Sequence, residues 1–170
     1  MIRIYFTDRK NFPDSELFIK SVLCARERVK EPHILRSAQG KPYLADSSLQ
    51  FSLSHTDQRY FLAVAEEKIG IDAEPTDRKT EFKAVAKRYF PECEISDALS
   101  FLRLWTVKES AVKLIGGTIA RDMKKFCLQD DFLLHAEHPP VRYLTTKISG
   151  CFVTISTHGE ITQPAWIAYP

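Results

Sequence analysis

Ile2, Ile4 and Phe6 alternate with polar neighbours, the period of a half-buried strand. Pro13-Asp14-Ser15-Glu16 then reads as a helix start, and Leu17, Phe18, Ser21, Val22, Ala25 and Val29 as the buried stripe of a helix stopped by Pro32. Residues 37–48, rich in Gly, Pro, Ser and Asp, read as a loop. Strands are expected over 51–54 and 60–65, joined as a hairpin by Thr56-Asp57-Gln58-Arg59, and over 69–74, ended by Pro75. Phe82, Val85, Ala86 and Tyr89 mark a short helix closed by Phe90-Pro91. Ile95, Leu99, Leu102 and Trp105 mark a long one reaching about Ile115, where Gly116-Gly117 terminates it. Further strands are expected near 126–128, 132–134, 141–148, 151–156 and 165–168. The pattern predicts an α+β fold of two similar α/β halves, residues 1–68 and 69–170, although no internal repeat is visible.

The 170 residues are 44% hydrophobic and 27% charged, ordinary for a globular chain, and a formal charge of +2 with no basic run gives no support to nucleic-acid binding. No apolar run suggests a signal peptide or membrane span, so the cytoplasm is expected. Cys24, Cys93, Cys127 and Cys151 stand apart without a Cys-x-x-Cys pair and read as free, buried thiols. His135-x-x-His138, before Pro139-Pro140, reads as a surface loop and Trp105 as core packing.

The candidate chemistry sits in two segments. In the strand 69–74 (Ile-Gly-Ile-Asp-Ala-Glu), Gly70, Asp72 and Glu74 share one face while Ile69, Ile71 and Ala73 face the core. Two carboxylates at that spacing, about 6 to 7 Å apart, repel by roughly 2.5 kcal/mol at an effective dielectric near 20, a cost a cation between them would remove. In the helix 104–113 (Leu-Trp-Thr-Val-Lys-Glu-Ser-Ala-Val-Lys), Trp105, Glu109 and Lys113 fall on one stripe and Lys108 is turned away from it. Taken singly, these residues also suit an exposed sheet edge and an ordinary helix ion pair.

These two segments, with Phe-Ser-Leu-Ser-His at 51–55 and Gly40-Lys41-Pro42 upstream, resemble the 4'-phosphopantetheinyl transferase superfamily, in its single-chain, pseudo-dimeric, surfactin-synthetase-activator-like class. The resemblance spans 41–113 and implies a site in the cleft between the halves. It also implies transfer of the 4'-phosphopantetheine arm from coenzyme A to a serine of an apo acyl, peptidyl or polyketide carrier protein, with release of adenosine 3',5'-bisphosphate. Asp72, Glu74 and Glu109 would hold Mg²⁺, with Mn²⁺ able to substitute. Glu109 would take the serine proton and Lys113 would meet the leaving phosphate. Lys41, Ser54, His55 and Lys108 would contact coenzyme A. Arg9 and Lys10 stand where longer members carry a basic grip on the 3'-phosphate, so either they supply it or that recognition is weaker. A monomer is implied, its carrier docking on an apolar patch for which the loop after Asp72 and the helix at 82–90 are candidates. A non-catalytic carrier- or coenzyme-binding relative is the alternative. A nucleic-acid-binding domain is a third class, unsupported by any aromatic-basic stripe.

Overall fold

The computed structural model describes residues 1–90 and 95–170. Two sheets carry the fold. The first has the order β11-β1-β5-β4, built from β1 (Arg3–Asp8), β4 (Gln50–His55), β5 (Arg59–Ala65) and β11 (Ala165–Ala168), with β11 parallel to β1 and the other neighbours antiparallel. The second has the order β6-β10-β9-β8-β7, from β6 (Gly70–Pro75), β7 (Cys127–Gln129), β8 (Phe132–His135), β9 (His138–Ile148) and β10 (Cys151–Thr157), all antiparallel. A ribbon pairs β2 (Ile34–Arg36), just before the stretch expected to be loop, with β3 (Pro42–Leu44) inside it, so residues 37–41 are a hairpin tip.

Strand alternation sorts the core. Tyr5, Tyr60, Leu62 and Val64 turn toward α1 (Ser15–Ala25), meeting Phe18, Ile19, Val22 and Leu23. Ile4, Phe61 and Ala63, one residue out of step, meet Ile71, Ala73, Val153 and Ile155 between the two sheets. The other face of the second sheet is covered by α3 (Ala98–Ile115), with Phe101, Leu102, Val107 and Val112 packed among Phe126, Leu133 and Val141. Short helices α2 (Phe82–Tyr89) and α4 (Ile119–Asp122) flank it.

The helix ends follow local chemistry. Asp14 caps α1 through Leu17 N–H and Asp97 caps α3 through Ser100 N–H, each at 2.9 Å. Ile95 therefore precedes the long helix it was expected to join, and Leu99 and Leu17, both expected to be buried, are exposed at first turns. The first helix stops before Val29 because Arg28 takes a φ of 58° and Val29 N–H returns to the Leu23 carbonyl at 3.0 Å. Gly116, at φ 67°, closes α3 in a Schellman pattern, with Gly116 N–H on Lys113 O and Gly117 N–H on Val112 O.

Cys151 is buried as expected, but Cys24 and Cys127 are exposed, and Cys93 and Pro91 lie outside the described residues. His135 is buried at the end of β8 and His138 begins β9, so the pair flanks a tight turn and is no surface loop. No helix among the described residues is long and apolar enough to cross a membrane.

Candidate functional site

Gly70 lets β6 touch α3: a Cβ there would lie 1.9 Å from the Ser110 carbonyl oxygen. Asp72 and Glu74, on the same strand face, are thereby brought under the Glu109–Lys113 stripe, so they are no exposed sheet edge; Asp72 is 3% and Glu74 9% accessible. Carboxylate oxygens of Asp72, Glu74 and Glu109 all lie within 4.8 Å of one another.

Their partners are unequal. Asp72 Oδ1 accepts from Lys113 Nζ at 2.7 Å and Ser54 Oγ at 2.9 Å, whereas Asp72 Oδ2 is buried without a hydrogen-bond partner among the described residues. Lys113 Nζ also lies 3.5 Å from Glu109 Oε1. Arg78 Nη1 donates to both oxygens of Glu74 at 2.5 Å. Burial pushes the Glu109 carboxyl up to about 7, reinforced by the Asp72 charge, with Lys113 opposing. Burial also raises Glu74 against the pull of Arg78. The Lys113 ammonium is disfavoured by burial, but Asp72 and Glu109 outweigh that and hold its pKa above the ordinary lysine value.

An orphaned buried oxygen amid three oxygen donors fits a hard divalent cation such as Mg²⁺ or Mn²⁺, which prefers carboxylates and retains waters. A second cluster, His135, Glu137 and His138, is partly engaged: His135 Nδ1 accepts the Glu137 N–H at 3.1 Å and the Glu137 carboxylate has Lys125 at 3.3 Å, while His135 Nε2 is buried without a hydrogen-bond partner among the described residues.

The Ser54 hydroxyl is engaged within the protein. It donates to Asp72 and accepts Ala73 N–H at 3.1 Å, while Ser52 accepts Ile71 N–H at 3.2 Å, so the β4 serines satisfy the free edge of β6 and join the two sheets. Lys41 is turned to another task as well. Its ammonium donates to Lys113 O at 2.6 Å, with Ile69 O and Leu114 O each at 3.4 Å, capping the negative end of α3. Lys108, fully buried, faces away from the carboxylates, donating to Tyr89 O at 3.2 Å with Nζ 4.8 Å from the Phe90 ring centroid. This is the direction dictated by its place on the helix, one residue off the Glu109–Lys113 stripe.

A cleft of about 660 Å³ opens between the β4–β5 turn, the segment 74–79 and the β9–β10 turn, with Glu74 on its wall. His55, Arg59, Arg78 and Lys79 line it. Burial, then Arg9 and Lys113, lower the His55 pKa. Arg9 lies over the Tyr60 ring at 5.6 Å and donates to Thr56 O, and Lys10 is exposed 3.9 Å from Asp8; neither lines this cleft. Arg59 and Arg78 escaped the sequence reading, since neither lies in the motif segments and only the tertiary fold brings them to the cleft. The apolar residues of α2, Phe82, Val85 and Tyr89, pack on the core, leaving Lys83, Lys87 and Arg88 exposed.

Residues 68–169 match the family model described as the 4'-phosphopantetheinyl transferase superfamily. The chain is 28% identical over 150 residues to the 4'-phosphopantetheinyl transferase Sfp of Bacillus subtilis, covering 81% of this chain and 64% of that one. It is 32% identical over 112 residues to the transferase gsp of Aneurinibacillus migulanus (59% and 46% of the two chains) and 33% identical over 137 residues to HetI of Nostoc sp. (70% and 57%). The match thus spans roughly half to two thirds of the length of these curated relatives. With that match falling across the strand and helix that assemble Asp72, Glu74, Glu109 and Lys113, the chain belongs to the 4'-phosphopantetheinyl transferase superfamily, with its Sfp-like members.

Proposed function

We propose that this protein transfers the 4'-phosphopantetheine arm of coenzyme A to a serine of an apo carrier protein. The observation that carries the proposal is the cluster of Asp72, Glu74 and half-buried Glu109 beside the Lys113 ammonium, with one Asp72 oxygen unpartnered among the described residues, in a chain of this family. Asp72, Glu74 and Glu109 would hold Mg²⁺, or Mn²⁺ in its place. The ion's contribution when bound is to neutralise charge on the diphosphate oxygens.

The chain's own residues account for the remaining steps. The serine Oγ attacks the phosphorus bearing the pantetheine arm, and the bond from that phosphorus to the bridging oxygen breaks, freeing adenosine 3',5'-bisphosphate. Glu109, the carboxylate beside Asp72 and Lys113, takes the serine proton. Lys113, kept charged by Asp72 and Glu109, neutralises the phosphate that leaves. The diphosphate would lie in the cleft walled by Glu74, His55, Arg59 and Lys79, with Lys41 and Ser54 supporting the frame rather than touching ligand. We place the site between two α/β halves, 1–68 and 69–170, with β11 of the second returning to pair with β1 of the first, in a cytoplasmic, monomeric protein.

Release of adenosine 3',5'-bisphosphate on mixing with coenzyme A, Mg²⁺ and an apo carrier tests the proposal. Release should require all three and vanish in Asp72→Ala. Coenzyme A binding with no release on any carrier would instead identify a binding-only relative.

A further inference from the structure

Arg78 is unexplained by the residues assigned so far. It follows β6 in a turn whose backbone is held: Arg78 N–H donates to Pro75 O at 3.2 Å, and Thr76 N–H and Oγ1 reach Gly150 O at 2.9 and 3.0 Å. Its side chain is 50% accessible and lines the cleft, yet its guanidinium reaches back to take both oxygens of Glu74. Arg78 occupies one lone pair on each Glu74 oxygen and neutralises the carboxylate charge, so it competes with a cation for Glu74. Asp72, by contrast, keeps one oxygen open. Of the three carboxylates, Glu74 is therefore the one whose grip on a cation is opposed by a guanidinium on both oxygens.

We propose, resting on the metal-dependent reading above, that Arg78 is an exchange counter-ion. It neutralises Glu74 while the site lacks a cation, swings off on its fixed backbone when one enters, and then presents its guanidinium to the diphosphate in the cleft. The physical drive is charge. Asp72, Glu74 and Glu109 outnumber Lys113 and Arg78 by one negative charge, and an entering divalent ion makes the arginine redundant at Glu74 just as an anionic ligand makes it useful a few ångströms away. Arg78 is thus a positioning residue before the ligand arrives and a binding residue afterwards.

The test measures Mn²⁺ binding by electron paramagnetic resonance in the absence of coenzyme A, then coenzyme A binding by calorimetry at saturating Mn²⁺. Arg78→Met should tighten Mn²⁺ binding by about twofold to fivefold, the range open to a partly exposed ion pair that competes for one ligand. It should weaken coenzyme A by a similar factor. Lys79→Met, which removes a cleft charge that does not touch Glu74, should move Mn²⁺ by less than about twofold at such distances. Unchanged or weaker Mn²⁺ binding in Arg78→Met overturns the inference, as does an equal effect from Lys79→Met, which would mark a general field. Asp72→Asn separates the two levels of argument. If it abolishes Mn²⁺ binding while Arg78→Met leaves it unmoved, the carboxylate site stands and the exchange does not; if Asp72→Asn binds Mn²⁺ like the wild type, the site itself fails and the exchange with it.

Discussion

Gly70→Ala adds one methyl group at the closest approach of β6 to α3. That carbon would sit 1.9 Å from Ser110 O and 2.6 Å from Leu114 N, both backbone atoms that no rotamer change can move. Restoring even a 3.0 Å separation from Ser110 O requires α3 to retreat by about 1.1 Å from the strand. The same helix carries Glu109 and Lys113, so the retreat pulls the ammonium off its 2.7 Å contact with Asp72 and opens the carboxylate cluster. Overpacking of this kind costs about 1–3 kcal/mol, and with the stretched ion pair we expect a loss of about 2–3 kcal/mol. For a chain of this size that lowers Tm by roughly 5–10 °C. Urea denaturation of metal-free protein reads the stability, and Mn²⁺ titration of the folded variant reads the site; both should weaken. A variant within about 0.5 kcal/mol of wild type that binds Mn²⁺ unchanged would show that the glycine is not needed for helix contact, and the packing account of the motif would fail.

Other substitutions separate the roles of the charged groups. Glu109→Gln should abolish turnover and also reshape stability against pH. Because the folded carboxyl sits at about 7 against an ordinary 4.5, the native state holds its proton longer, so wild-type stability falls as pH rises through that window. Metal-free Glu109→Gln should lack this slope and be the more stable form above pH 7, which thermal melts across the range would check. Lys113→Ala should lower kcat far more than it raises the KM for coenzyme A; a change confined to KM would mark uniform binding with no transition-state role. Lys41→Met removes the cation at the end of α3 and should cost about 0.5–1.5 kcal/mol in denaturation with little change in coenzyme A affinity. A large loss of affinity at unchanged stability would restore Lys41 to the binding site.

The quartet Asp72, Glu74, Glu109 and Lys113 was legible because two regular periods fix it. A strand repeats every second residue and a helical stripe every fourth, whereas the contact of the two at Gly70 appears only in the fold. Residues whose geometry depends on distant chain segments were not legible. Lys41 meets carbonyls 72 and 73 residues away, Ser54 turns to Asp72 across a sheet junction, and Arg78 reaches Glu74 through a turn with no period. Apolar stripes overreached at helix ends, where Asp14 and Asp97 caps set the start and leave Leu17 and Leu99 in solvent. Exposed Cys24 and Cys127 show the same limit, since composition says nothing of which side of a helix or edge strand a thiol occupies.

The central claim is tested most directly by intact mass spectrometry of apo carrier proteins incubated with this protein, coenzyme A and Mg²⁺, beside chelator and Asp72→Ala controls. A gain of one phosphopantetheine arm on a carrier serine, absent in both controls, is the predicted result. A gain that survives chelation or the loss of Asp72 would contradict the carboxylate site, and no gain on any carrier, with coenzyme A bound, would contradict the transferase reading.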